Sequence, residues 1–353
     1  MSGNSEPVVI ITGGSSGIGR CTAALFARHG WRVGLIARGA EGLAASRRDV
    51  EALGARAASA QADVTDSAGL HAATDAIVAA LGPVDLWINC AGTGVYGRFT
   101  DVPEADFKRV TDVTYHGAVN GTREALSRMQ PRGAGTILNV CSAVAFHGLP
   151  LMTSYSGAKA ALCAFNQSLQ AELRLERSPI RLITVYPPAA NTPFFNHAVS
   201  YMGWPARPAW PVYQPEVIAQ GIWQAFVSGR PEMKISGTTV AFSAASRIAP
   251  RLIAWCMARM GFERQMARDG EACHLQEPNL FVPSCRVFAV RGPFGKGARA
   301  ASSQLWMDKL LTKLGMFAAR GRPMQQAVPS PPRLAVAEPD PALADLAAPA
   351  GES

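Results

Sequence analysis

Two groups of residues in this chain have types and spacings suited to chemistry. The first is Thr12-Gly13-Gly14-Ser15-Ser16-Gly17-Ile18-Gly19. Glycines let a backbone turn tightly and approach a ligand closely, and the start of a following helix offers unpaired N–H groups to an anion. Such a loop can cradle a pyrophosphate, although a glycine-rich turn without ligand reads the same way. Its glycine spacing departs from GxGxxG, and no Gly-Lys-Ser/Thr follows, so it is not a Walker loop. The second group is Tyr155 and Lys159, which share one face of a helix because they are four residues apart. A free phenol has a pKa of about 10, and a neighbouring ammonium favours the phenolate.

Elements that position these residues follow from the pattern. Apolar, β-type runs at 8–12, 32–37, 55–60, 86–90, 136–140 and 182–186 alternate with helical stretches at 19–29, 41–53, 68–81, 104–129 and 153–176. A last strand is predicted near 233–236. Alternation of this kind gives an α/β fold, a doubly wound parallel sheet of Rossmann type. The glycine loop lies between the first strand and the first helix, which is the context phosphate binding requires. Arg38 ends the second strand. An acidic residue there bonds the ribose 2′-hydroxyl of NAD, whereas an arginine can take the extra phosphate of NADP. Arg38 therefore points to NADP(H), with NAD(H) possible, because Arg38 can also simply cap the strand and Glu41 is close.

Further along, Asn89-Cys90-Ala91-Gly92 follows a strand, Ser142 ends another, and Tyr155-Ser156-Gly157-Ala158-Lys159 opens a long helix. With TGxxxGIG ahead of them, in this order, residues 7 to 237 resemble the single-domain short-chain dehydrogenases/reductases. The resemblance implies an oxidoreductase in which Tyr155 exchanges a proton with the substrate oxygen while hydride passes between the nicotinamide and the substrate carbon. It implies that Ser142 holds that oxygen and that Lys159 reaches both Tyr155 and a cofactor ribose. It assigns cofactor contacts to Thr12, Gly13, Ser15, Ser16, Gly17, Ile18 and Gly19, to Asp63 and Val64 beside the adenine, and to Asn89, Ala91, Gly92, Pro187 and Thr192 toward the nicotinamide. There are departures. Thr114 stands where the family often has an Asn that helps bind a water leading to the lysine. Pro187-Pro188 replaces the usual Pro-Gly.

The family's variable loop covers the substrate, and here it runs from about 193 to 213 with Phe194, Phe195, Tyr201, Trp204, Trp210 and Tyr213. Aromatic residues with few charges suit a lipophilic small-molecule ketone or alcohol, whether aliphatic, aromatic or steroid-like. The same rings would equally serve packing or an oligomer contact. Val95, His147, Phe194 and Trp204 are the candidate substrate contacts; His147 can also lie at the surface. Family members often form homo-oligomers through the helices around 104–129 and 153–176.

The remainder of the chain differs in character. Residues 1–237 form the expected catalytic domain, 238–322 a basic, partly helical extension, and 323–353 a Pro/Ala-rich tail expected to be disordered. Helices are predicted over 247–262 and 303–318, with little periodicity between. The formal charge of +8 is concentrated in the extension. No nucleic-acid recognition motif accompanies it, so nucleic acid is not expected. A solvated face and an anionic membrane surface are open readings of that charge, and helix 247–262 can rest on a membrane, fold back over the substrate loop or build a dimer interface. Seven scattered cysteines without CxxC spacing argue against a metal site or disulfide framework. Arg and Lys interrupt every long apolar run, and residues 1–7 do not resemble a secretory signal. The expectation is a cytoplasmic enzyme. The competing readings are a dinucleotide-binding regulatory protein and a membrane-associated scaffold, both without turnover.

Overall fold

The computed structural model describes residues 6–267 and 276–313. The chain alternates strand and helix: β1 (Val8–Thr12), α1 (Gly17–Arg28), β2 (Arg32–Ala37), α2 (Ala40–Ala52), β3 (Ala57–Gln61), α3 (Ser67–Leu81) and β4 (Leu86–Asn89). After a two-residue strand β5 (Val95–Tyr96) come α4 (Glu104–Thr111), α5 (Gly117–Met129), β6 (Thr136–Val140), α6 (Thr153–Leu175) and β7 (Arg181–Tyr186). Then follow α7 (Phe194–His197), β8 (Val199–Ser200), α8 (Pro215–Ser228), β9 (Glu232–Lys234), α9 (Gly237–Ile248), α10 (Pro250–Met260) and α11 (Ser303–Lys313).

Seven strands form one parallel sheet in the order β3-β2-β1-β4-β6-β7-β9. Strands buried on both faces read as continuous apolar runs, and Val8 to Ile11 are fully buried. One core joins the sheet to α1, α2 and α8 through Phe26, Leu43 and Ile222. The other joins it to α3, α5 and α6 through Ile77, Ala125 and Leu173. The order reverses between β1 and β4, which opens a crevice beyond their carboxyl ends. Thr12 pairs with Asn89, and Asn89 with Asn139, so the loops leaving β1, β4 and β6 start at one level.

The doubly wound sheet and its helices match the sequence reading, with differences at edges. The third strand lies at Ala57–Gln61 and the last at Glu232–Lys234. The helix expected over 104–129 contains a π-helical turn at Asp112–His116 between α4 and α5. The helix expected over 247–262 is a correction. The chain breaks at Ala249 (φ −132°, ψ 59°), separating α9 from α10. Pro250 is the cause, because it lacks an N–H and drives the preceding residue out of the helical region. The helix expected over 303–318 is seen as α11; its remainder and the tail 323–353 lie outside the described residues. Residues 276–300 form neither helix nor strand and run across the body of the molecule.

Candidate active site

The turn after β1 demands glycine. Gly13 has φ +70°, and a Cβ there would stand 2.7 Å from the backbone of Ala91; a Cβ on Gly19 would stand 2.2 Å from the Gly13 carbonyl oxygen. Thr12 does not line the cleft. Its buried Oγ1 accepts from the amides of Cys90 (3.3 Å) and Ala91 (3.5 Å), fastening the turn to the end of β4. First-turn amides of α1 have no partner within the helix. A cradle that side chains would fill, at a helix start, fits a pyrophosphate.

A cavity of about 460 Å³ begins at this cradle and ends at Tyr155. Gly13, Ser15, Ser16, Gly17, Ile18 and Gly19 border one end, together with Arg38, Asp63 and Val64. Ala91, Gly92, Pro187 and Thr192 border the middle, and Ser142, Tyr155, Lys159 and Phe194 the far end. Asn89 is a correction. Its amide is turned under the cleft, where its oxygen accepts from Trp87 Nε1 (2.8 Å) and its nitrogen donates to Asn139 Oδ1 (2.7 Å). Asn139 in turn donates to Asn166 Oδ1 (2.6 Å). The amide thus ties strands to helices instead of reaching a ligand. Val95 is also a correction: it packs in a closed cluster with Val110 and Leu280. His147 and the exposed Trp204 stand outside the cavity lining. Of the aromatic loop, Phe194, Phe195 and Trp210 reach the cavity, whereas Tyr213 is buried against Arg299.

Tyr155 and Lys159 leave α6 on one face. The Lys159 ammonium is buried, donates to the Val140 carbonyl (2.7 Å) and lies 5.7 Å from the centre of the Tyr155 ring. Burial raises the Tyr155 phenol above its ordinary pKa, and the Ser142 hydroxyl bonded to it pulls in the opposite direction. Ser142 Oγ also accepts from the Val144 amide (3.3 Å), which leaves the serine proton for the phenol. Burial lowers the pKa of Lys159. Burial also pushes the Cys90 and Cys141 thiols up to about 12, so both stay protonated and act as small fillers. Thr114, within the π-helical turn, binds the loop after β4: its Oγ1 donates to the Thr93 carbonyl (3.2 Å) and accepts from the Thr93 amide (3.3 Å). π-turns of this kind recur at functional sites.

Sequence reasoning missed one wall of the cleft. Residues 277–289 cross it as a strap, in which Asn279, Pro283, Ser284, Val287 and Phe288 line the cavity. The Ala289 carbonyl accepts from the Gly17 amide (3.0 Å), and the Phe288 carbonyl from Arg20 (2.8 Å). Arg38 donates to the carbonyls of Asn279, Leu280 (3.2 Å) and Phe281 (3.0 Å). Arg109 bonds both the Leu280 carbonyl (3.0 Å) and Asp63, and Asp63 lies 3.9 Å from Arg38. Asp63 therefore binds Arg109 and lies beside Arg38, the two arginines that grip the strap's carbonyls. Within the strap, Glu277 accepts from the Ser284 hydroxyl (2.7 Å) and from the amides of Cys285, Arg286 and Val287. Burial alone would raise this carboxyl, but these donors hold its pKa below the ordinary value. Solvent screens each of these bonds, but four of them converge on one carboxylate. Glu277→Ala should therefore make residues 276–300 readily cut in limited proteolysis and weaken dinucleotide binding about tenfold; an unchanged digestion pattern counts against the strap.

Comparisons with known proteins give the family. The family described as short chain dehydrogenase matches residues 7–201. The chain belongs to that family, and it is an oxidoreductase acting between CH–OH and C=O groups. It is 31% identical over 264 residues to an uncharacterized oxidoreductase, YxnA, of Bacillus subtilis, covering 74% of each chain. It is 34% identical over 192 residues to 3-dehydrosphinganine reductase of Danio rerio, covering 53% of this chain and 57% of that one. Among solved structures, a short chain dehydrogenase from Mycobacterium paratuberculosis bound to NAD superimposes with a TM-score of 0.59 at 26% identity, covering 67% of this chain and 100% of that one. No helix among the described residues is long and apolar enough to cross a membrane.

Proposed function

We propose that the chain is an NADP(H)-dependent oxidoreductase acting on a lipophilic ketone or secondary alcohol. The observation that carries this reading is one cavity with the glycine cradle at one end and the bonded Ser142–Tyr155 pair, with Lys159 beside it, at the other. A nicotinamide dinucleotide, when bound, supplies or accepts the hydride. Ser142 orients the substrate oxygen and Tyr155 gives it a proton or takes one away. Lys159 places a positive charge beside the phenol, where it favours the phenolate. A cytoplasmic setting is consistent with six described cysteines that are all free.

NADP(H) is favoured because Arg38, at the end of β2, borders the same cavity as the glycine cradle. Its engagement with strap carbonyls presets the guanidinium at that end of the cleft. An apolar, mostly aromatic lining supports the substrate class: Tyr96, Leu149, Met152, Phe194, Phe195 and Phe242 line the cavity with Tyr155. Titration by nicotinamide fluorescence should show tighter binding of NADPH than NADH. Arg38→Ala should lower the NADPH/NADH affinity ratio about tenfold, as expected for one lost charge-assisted contact. Taking the ratio cancels whatever loosening of the strap both cofactors feel. Equal affinities in the unaltered protein remove the role given to Arg38. A panel of carbonyls that includes 3-dehydrosphinganine and short polar ketones tests the substrate class, and activity confined to polar ketones would reject it.

A further inference from the structure

Helix α9 is packed inside out. Its buried positions are hydroxyl-bearing, Thr239, Ser243 and Ser246, while Val240, Ala241, Ala244 and Ile248 face outward. A surface helix of a water-soluble protein normally shows the reverse. Helix α10 turns Ile253, Cys256 and Met257 inward but leaves large apolar side chains outside as well. Ile248 is 84% exposed, Leu252 58%, Trp255 55% and Val240 42%. The charges set among these side chains are all positive. Arg247, Arg251 and Arg259 are exposed, Arg259 lies 4.8 Å from the Trp255 ring centre, and no Asp or Glu occurs between Glu232 and Glu263. The same two helices line the cavity through Thr238, Phe242 and Met257, as does the exposed Trp210.

We propose that the outward faces of α9 and α10 dock on an anionic lipid surface and set the cavity that the two helices line beside it. A helical face that combines leucine, isoleucine and tryptophan with arginines, and is too short to span, is the kind that lies in the headgroup plane. Tryptophan favours that interface, and arginines are drawn to acidic headgroups. Charge decides against a second copy of the chain as the occupant, because a two-fold contact would set arginines against arginines. This surface is independent of the hydride chemistry, since none of its exposed residues touches the cradle or Tyr155.

The test uses the full chain with vesicles of phosphatidylcholine, either alone or with phosphatidylglycerol at about a third of the lipid. Co-sedimentation should be strong with the anionic vesicles, weak with the neutral ones and reduced by salt. Arg247→Gln with Arg251→Gln should lower partitioning about 25-fold, at about fivefold per charge. Leu252→Ser with Trp255→Ser should lower it more than about tenfold. In both variants, NADPH titration and the melting temperature should match the unaltered protein, which separates failure of the surface from failure of the cofactor site. Three results would overturn the proposal: no binding to anionic vesicles, binding that both variants retain, or a change in oligomeric state of the Leu252/Trp255 variant without lipid. The last would make this face a contact between copies.

Discussion

Tyr155→Phe should lower turnover about a thousandfold, the middle of the range for losing a positioned acid–base group, while NADPH binding stays within about twofold of the original. The ring that packs 5.5 Å from Phe194 remains, so the cavity keeps its shape and only the hydroxyl is lost. A stopped assay with a reducible ketone gives the first number and fluorescence titration the second; a variant retaining a tenth of the activity would remove Tyr155 from the chemistry. The pH dependence has a definite sign. Reduction needs the neutral phenol, and burial raises the pKa of Tyr155. Reduction should therefore be flat on this group's account from about pH 6 to about pH 9. Oxidation of the alcohol needs the phenolate and should rise with pH across the same interval. Burial lowers Lys159, so its ammonium, which favours the phenolate, is lost earlier on the alkaline side than from a free lysine.

Gly19→Ala should weaken dinucleotide binding by about a hundredfold or more, equivalent to about 2.7 kcal/mol. Its methyl group would meet the Gly13 carbonyl oxygen at 2.2 Å. A backbone oxygen has no rotamer to move to, so the turn must open. Gly14→Ala is the internal control. There the nearest atom, at 2.8 Å, is the Leu35 Cδ2 methyl, which can swing aside, and the loss should stay below about tenfold. Titrating both variants with NADPH, alongside their melting curves, distinguishes a damaged cradle from a damaged fold. Equal affinities for the two variants would mean that the pyrophosphate lies elsewhere.

The sheet and the reactive pair were legible because their physics is written in side chains. A run such as Val8–Ile11 is apolar at every position because both faces are covered. Tyr155 and Lys159 announce themselves by a helical interval. The break before Pro250 was legible in principle, since proline restricts the residue ahead of it, but the apolar periodicity on either side concealed it. Asn89 shows a different limit. An asparagine after a strand reads equally well as a ligand contact or as a bracket between strands, and only the positions of Trp87 and Asn139 decide. The strap was invisible for a third reason. It has no periodicity, and the groups that fasten it to Gly17, Arg20, Arg38 and Arg109 are main-chain carbonyls, which every residue possesses.

That mode of attachment has an evolutionary corollary. A segment anchored by its peptide oxygens can exchange most of its own letters without letting go, so selection should bear on the receiving residues instead. In a saturation library scored for nucleotide retention, Val282 and Arg286 should tolerate broad replacement. Arg20, Arg109 and Glu277 should be intolerant, and homologous segments should drift in spelling while keeping their length.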